Sequence, residues 1–146
     1  MKQSVIRTGP IFLGIAAIVA CGGGGSTAPT SVLVGSYNAV QFVTTGSSGQ
    51  TNQILAGSTS SINLNSNGST TGHLHVAASG GNSAFEADMA GTWTRTGNSV
   101  TFSQVADSFV RNMTWAVTAA GSSWELVGDQ VFSGVRTQVT LSQVAP

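Results

Sequence analysis

From Ser31 to the C terminus, apolar and polar positions alternate with a period of two, the repeat of a strand buried on one face. Ile62/Leu64, Leu74/Val76, Phe85/Ala87/Met89, Val100/Phe102, Met113/Trp115/Val117, Trp124/Leu126 and Val131/Val135/Val139/Leu141 carry the alternation. No helical repeat competes with it there, and none of Pro10, Pro29 and Pro146 interrupts it. Val32–Val43 and a broken Gln53–Leu64 segment bring the count to about eight strands. The predicted fold is all-β: an antiparallel up-and-down meander closed into a barrel, with a two-sheet sandwich as the alternative. Eight strands are enough for a sheet to close on itself. Closure also removes exposed edges, which a chain short of lysine and strand proline has few other ways to blunt.

Turn residues separate the runs at Asn67-Gly68, Ser79-Gly80-Gly81-Asn82, Thr96-Gly97, Ala120-Gly121 and Gly128-Asp129. A two-residue loop at Thr96-Gly97 sets Trp93 opposite Val100 and Gly91 opposite Phe102. A loop at Asp107-Ser108 sets Phe102 opposite Met113 and Val100 opposite Trp115. One at Gly128-Asp129 sets Leu126 opposite Val131. Each pairing brings apolar side chains onto one face, as a buried face demands.

Ahead of this domain lies a different pattern. Residues 1–10 carry Lys2 and Arg7 and no acid, and Ile11–Ala20 is an uncharged apolar run. As a helix that run is about 15 Å long, half the hydrocarbon thickness, so it reads as a secretory signal and not a membrane span. It ends in Ile18-Val19-Ala20-Cys21, which resembles the lipobox of bacterial lipoproteins. The resemblance implies diacylglycerol on the Cys21 sulfur, removal of residues 1–20, and acylation of the freed amine with palmitate-type chains. Two or three chains hold a protein stably on a membrane where one does not. The alternative is an ordinary secretory peptide that ends near a cysteine. Residues 21–30, glycine-rich after Cys21, then form a tether reaching roughly 15–18 Å, and residues 31–146 the domain. Gly22 after the cysteine is compatible with export to the outer membrane of a Gram-negative cell. The expected location is therefore the bacterial cell envelope.

Composition narrows the function. Charged residues are only 7% of the chain, far below the quarter usual in a soluble domain. Past the leader, Arg95, Arg111 and Arg136 stand against Glu86, Asp88, Asp107, Glu125 and Asp129. That balance is a poor footprint for nucleic acid, whose phosphates need neutralising. The single cysteine excludes an internal disulfide. No Gly-x-Ser-x-Gly elbow or His-Glu-x-x-His helix occurs. Neither an enzyme nor a cofactor is expected.

Val34-Gly35-Ser36-Tyr37, Ile62 to Gly68, and Gly91-Thr92-Trp93 running on to Phe102 resemble the repeated phrases of lipocalin-like domains in bacterial lipoproteins. The resemblance covers roughly Val32 to Gln143 and implies a barrel and a small apolar ligand.

Two sets of residues are candidate sites. Trp93, Phe102, Met113, Trp115 and Trp124 share the inward side with Phe85 and Met89, and could line a cavity or fill it. Arg111, and after it Arg95, share the inward parity and could receive the head group of an amphipathic ligand or snorkel to water. Separately, pairing the His73–His75 strand with Ala84–Ala90 sets His75 beside Glu86 and His73 beside Asp88. Two imidazoles and two carboxylates could hold Zn²⁺, or form solvent-facing charge pairs; the outward face favours the pairs.

The leading expectation is a membrane-anchored module holding a small hydrophobic or amphipathic ligand in its barrel. The alternative is an envelope interaction or structural lipoprotein, or a hydrolase inhibitor, with a filled barrel and an unknown protein partner. A cavity lined by Trp115 and Met113 would favour the first, a solid core the second.

Overall fold

A computed structural model describes residues 30–79, 82–111 and 113–145. The signal segment, Cys21 and the glycine tether up to residue 29 lie outside the described residues. A short 3-10 turn, η1 (Thr30–Leu33), leads into ten strands: β1 Gly35–Gly46, β2 Gly49–Asn52, β3 Thr59–Leu64, β4 Ser69–Val76, β5 Phe85–Asp88, β6 Gly91–Thr96, β7 Ser99–Gln104, β8 Thr114–Ala120, β9 Ser123–Phe132 and β10 Val135–Gln143.

These make a closed antiparallel barrel of eight staves, the barrel and not the sandwich. β1 pairs β3, and the ladder then runs through β4, β6, β7, β8 and β9 to β10, which returns to β1 over Tyr37↔Gln143 to Thr45↔Arg136. The count is eight because β5 and β6 are two halves of one stave, both paired to β4. Likewise β2 and β3 share one edge of β1. Neighbours in sequence are neighbours in space, as short turns require.

Two irregularities bend the wall. Tyr37 and Phe42, five residues apart, are both buried, which strict alternation forbids. The register of β1 against β10 slips between Ala39 and Gln41, so Val40 bulges outward and resets the parity. At Gly72 the φ is +142°, and a Cβ there would stand 2.2 Å from the Ser61 carbonyl oxygen; only glycine lets β4 press this closely on β3. Opposite this bend the β5–β6 stave breaks at Met89–Ala90. The amide of buried Gln104, oriented with its nitrogen toward β6, donates to Met89 O at 3.0 Å and Ala90 O at 3.2 Å and accepts from Thr70 Oγ1 at 3.0 Å. It thereby ties both carbonyls across the break, where Ala90 O also accepts from Val105 N at 3.0 Å.

Three turns differ from the sequence reading. The β6–β7 loop is Gly97-Asn98, so Trp93 faces Phe102 and Arg95 faces Val100. The β8–β9 loop is Gly121-Ser122. Both glycines have φ +61° and occupy the first loop position, where a type II′ turn wants positive φ. Gly128-Asp129 is no turn at all. β9 runs through it and the chain reverses at Ser133-Gly134, with φ of +50° and +78°, the pair of positive values a type I′ turn needs. Leu126 therefore faces Leu141, and Val131 points outward at 66% exposure. The β7–β8 register is as expected at Val100↔Trp115, yet its ladder ends at Thr101↔Thr114. The segment that follows β7 is longer than a tight turn and folds Phe109 and Val110 into the core.

The barrel has two ends. η1, the Asn65–Gly68, Gly97-Asn98 and Gly121-Ser122 turns and the last residues share the near end. The β1–β2 and β9–β10 turns, the β4–β5 connection and the segment after β7 share the far end. Leu33, fully buried, closes the near end, held by Tyr37 Oη donating to its carbonyl at 2.9 Å. At the far end the Phe109 ring packs on Phe42 with centroids 5.1 Å apart.

Candidate functional site

Of the aromatic and methionine side chains expected to face inward, all but Phe85 do so. Phe102, Met113 and Trp115 are fully buried and Trp93 is 4% exposed; Trp124 is half-buried and packs on the same core. They fill the space. Phe102 and Trp115 lie with ring centroids 5.6 Å apart. Across the ladder from Trp115 sits Gly128, where a Cβ would stand 2.3 Å from Met113 Sδ and 2.9 Å from the indole. The place of a side chain is taken by the tryptophan and methionine, so the barrel interior here is packed like a core. Trp93 Nε1 donates to Asn65 O at 2.9 Å. Trp115 Nε1 is buried without a hydrogen-bond partner.

The arginines part company. Arg111 lies in the irregular segment after β7 and not on a strand, so strand parity does not govern it. Its side chain is exposed and sits 3.7 Å from Asp107; it does not point into the barrel. Arg95 is half-buried at the near end, with Nε donating to Gly97 O at 2.8 Å. Its charge reaches Tyr37. Burial pushes the Tyr37 phenol up to about 12, with Arg95 pulling the other way. Phe85 departs from the reading too: it stands at the barrel rim, 43% exposed.

Clefts open at the ends and on the wall, and those described are not lined by Trp115, Met113 or Phe102. The near end carries one of about 540 Å³ between Val34–Ser36, Ser122, Ser123 and Gln143–Ala145. At the far end two adjoin at Val76. One, about 260 Å³, is polar, with Thr44, Ser48, Thr51, Gln53, Asn82 and Ser83. The other, about 220 Å³, is apolar, with Val76, Phe85, Phe109 and Phe132 bordered by Asp107 and Ser108. Beneath the polar cleft Gln53, 6% exposed, donates to Thr44 Oγ1 at 2.7 Å and accepts from Ser58 Oγ at 3.0 Å, and Ser58 Oγ accepts from Ala77 N at 2.9 Å. Sequence reasoning missed this floor and the Phe109–Val110 insertion. The only available hint was an apolar pair out of period between two polar stretches.

On the outer wall the β4–β5 pairing is the one expected: His73↔Asp88 and His75↔Glu86. His73 Nε2 meets Glu86 Oε2 at 2.5 Å, His73 Nδ1 lies 3.5 Å from Asp88 Oδ1, and His75 Nδ1 bonds Glu86 Oε1. Glu86 holds the His73 pKa above its ordinary value, with Asp88 adding to it, and the two rings hold the Glu86 carboxyl below its own. The donors point at one another and not at a shared centre. Among the described residues no group of three or more His, Cys, Asp and Glu side chains is disposed to hold a metal ion. Also among them, no helix is long and apolar enough to cross a membrane. No protein-family model, curated protein or solved structure matches the chain.

Proposed function

We propose that the chain is a bacterial lipoprotein, anchored through acylated Cys21, whose lipocalin-like barrel is a filled interaction module of the cell envelope and not a carrier. One observation supports this above the others: the side chains that would line a ligand cavity, Trp93, Phe102, Met113 and Trp115, are spent on each other and on Gly128. A domain of this size needs most of them for its own stability. The described chain begins at Thr30 at the near end, so a barrel anchored ahead of it presents its far end, with Phe85 and Val131 exposed, to partners away from the membrane.

A second reading, capture of a small amphipathic molecule, has its own support. The polar and apolar far-end clefts adjoin at Val76. Mass spectrometry of the chain extracted from bacterial membranes separates the two. Under denaturing conditions the mass should show loss of residues 1–20 and added acyl chains that Cys21→Ser abolishes; an unaltered mass in that variant ends the anchor. Under native conditions the interaction reading expects no mass beyond the acylated chain. A stoichiometric adduct that Phe85→Asp removes would replace it with the ligand reading.

A further inference from the structure

We propose that His73, His75, Glu86 and Asp88 form a proton-operated clasp that fastens β5 to β4 and so holds Phe85 against the apolar cleft at the far end. His73 faces a carboxylate at each ring nitrogen, Glu86 at 2.5 Å and Asp88 at 3.5 Å. A neutral imidazole has one N–H and one lone pair. In that form, one nitrogen would turn its lone pair on a carboxylate oxygen. Only the imidazolium donates to both. Glu86 divides its two oxygens between the two rings, so a single carboxylate on β5 is gripped by two side chains of β4.

The grip matters because β5 has little else. Its four residues pair with β4 alone among the described residues, and the ladder breaks after it at Met89–Ala90. Phe85, opposite Val76, is the β5 residue that lines the cleft. The β3 residues beside the histidines, Thr59 and Ser61, are uncharged. Asp107 borders the same cleft and is paired with Arg111. Glu86, with Asp88 beside it, holds the His73 pKa above its ordinary value. The clasp contributes fully below the ordinary histidine value of 6.5 and is lost as the pH rises through the higher folded value.

Hydrogen–deuterium exchange of the full chain from pH 5 to 9, corrected for intrinsic exchange, tests it. The Phe85–Asp88 amides should lose protection by about two- to five-fold in one step above the ordinary histidine value, while β9 and β10 stay level. His73→Gln should abolish the step. Asp88→Asn, at a side chain 88% exposed and so without bearing on folding, should move it to lower pH. Protection of β5 that is flat with pH, a step surviving His73→Gln in a chain whose β9–β10 protection is intact, or a midpoint unmoved by Asp88→Asn overturns the clasp.

Discussion

Gly128 has no side chain, and Met113 and Trp115 occupy the space that one would need. Its backbone conformation is ordinary for a strand, so a substitution here probes packing alone. Gly128→Ala should lower stability by about 1–3 kcal/mol, the cost of forcing a methyl group into a closed core, read from the midpoint of denaturant unfolding with unchanged slope. An unshifted midpoint would mean that the interior has room. At this scale the sequence was misleading. Glycine marks both turns and close approaches, and nothing local to Gly128-Asp129 tells one from the other. The positive φ pair sits instead at Ser133-Gly134, a turn-forming dipeptide in its own right that lies five residues further on. Arg111 failed for a related reason: parity along a strand says where a side chain points only while the strand lasts.

Among the elements, the break between β5 and β6 is where the wall depends on a single side chain. Gln104 bridges it to Thr70 and to two backbone carbonyls. Gln104→Leu should cost about 1–3 kcal/mol through the lost bonds to Met89 O and Thr70 Oγ1, seen in thermal or urea unfolding, with exchange rising first around Met89 and Ala90. Most strands were legible because alternation is a local property that burial of one face imposes. The β6–β7 faces were assigned correctly although the partners were not: moving the loop from Thr96-Gly97 to Gly97-Asn98 slips the pairing by two residues, and a slip of two leaves every side chain on its original face. Val131, read as inward, points outward because β9 does not turn at Gly128-Asp129. The His73–Asp88 and His75–Glu86 pairs were readable for the same reason, since the ladder across their turn kept the expected register. Val40 and the Phe109–Val110 insertion were not readable, because each breaks the period from which the reading starts.

The described residues form one ring, closed by β1 on β10 between residues about a hundred apart in sequence. With no edge strand free to melt alone at that seam, unfolding should be a single transition. Far-UV circular dichroism and tryptophan fluorescence should then share one midpoint, and two separated midpoints would mean that the barrel opens in parts. By itself the sequence determined that the domain is all-β, that it has about eight staves, and which side chains turn inward along the regular strands, because each follows from a two-residue repeat and a strand count. It left closure into a barrel open against a sandwich. Only the tertiary structure decided that the interior around Trp115, Met113 and Gly128 is packed, that the described clefts lie at the ends and on the wall, and that Glu86 is shared between two histidines. Those depend on volumes and distances between residues far apart in the chain, and the spacing of residues along a strand carries no measure of either.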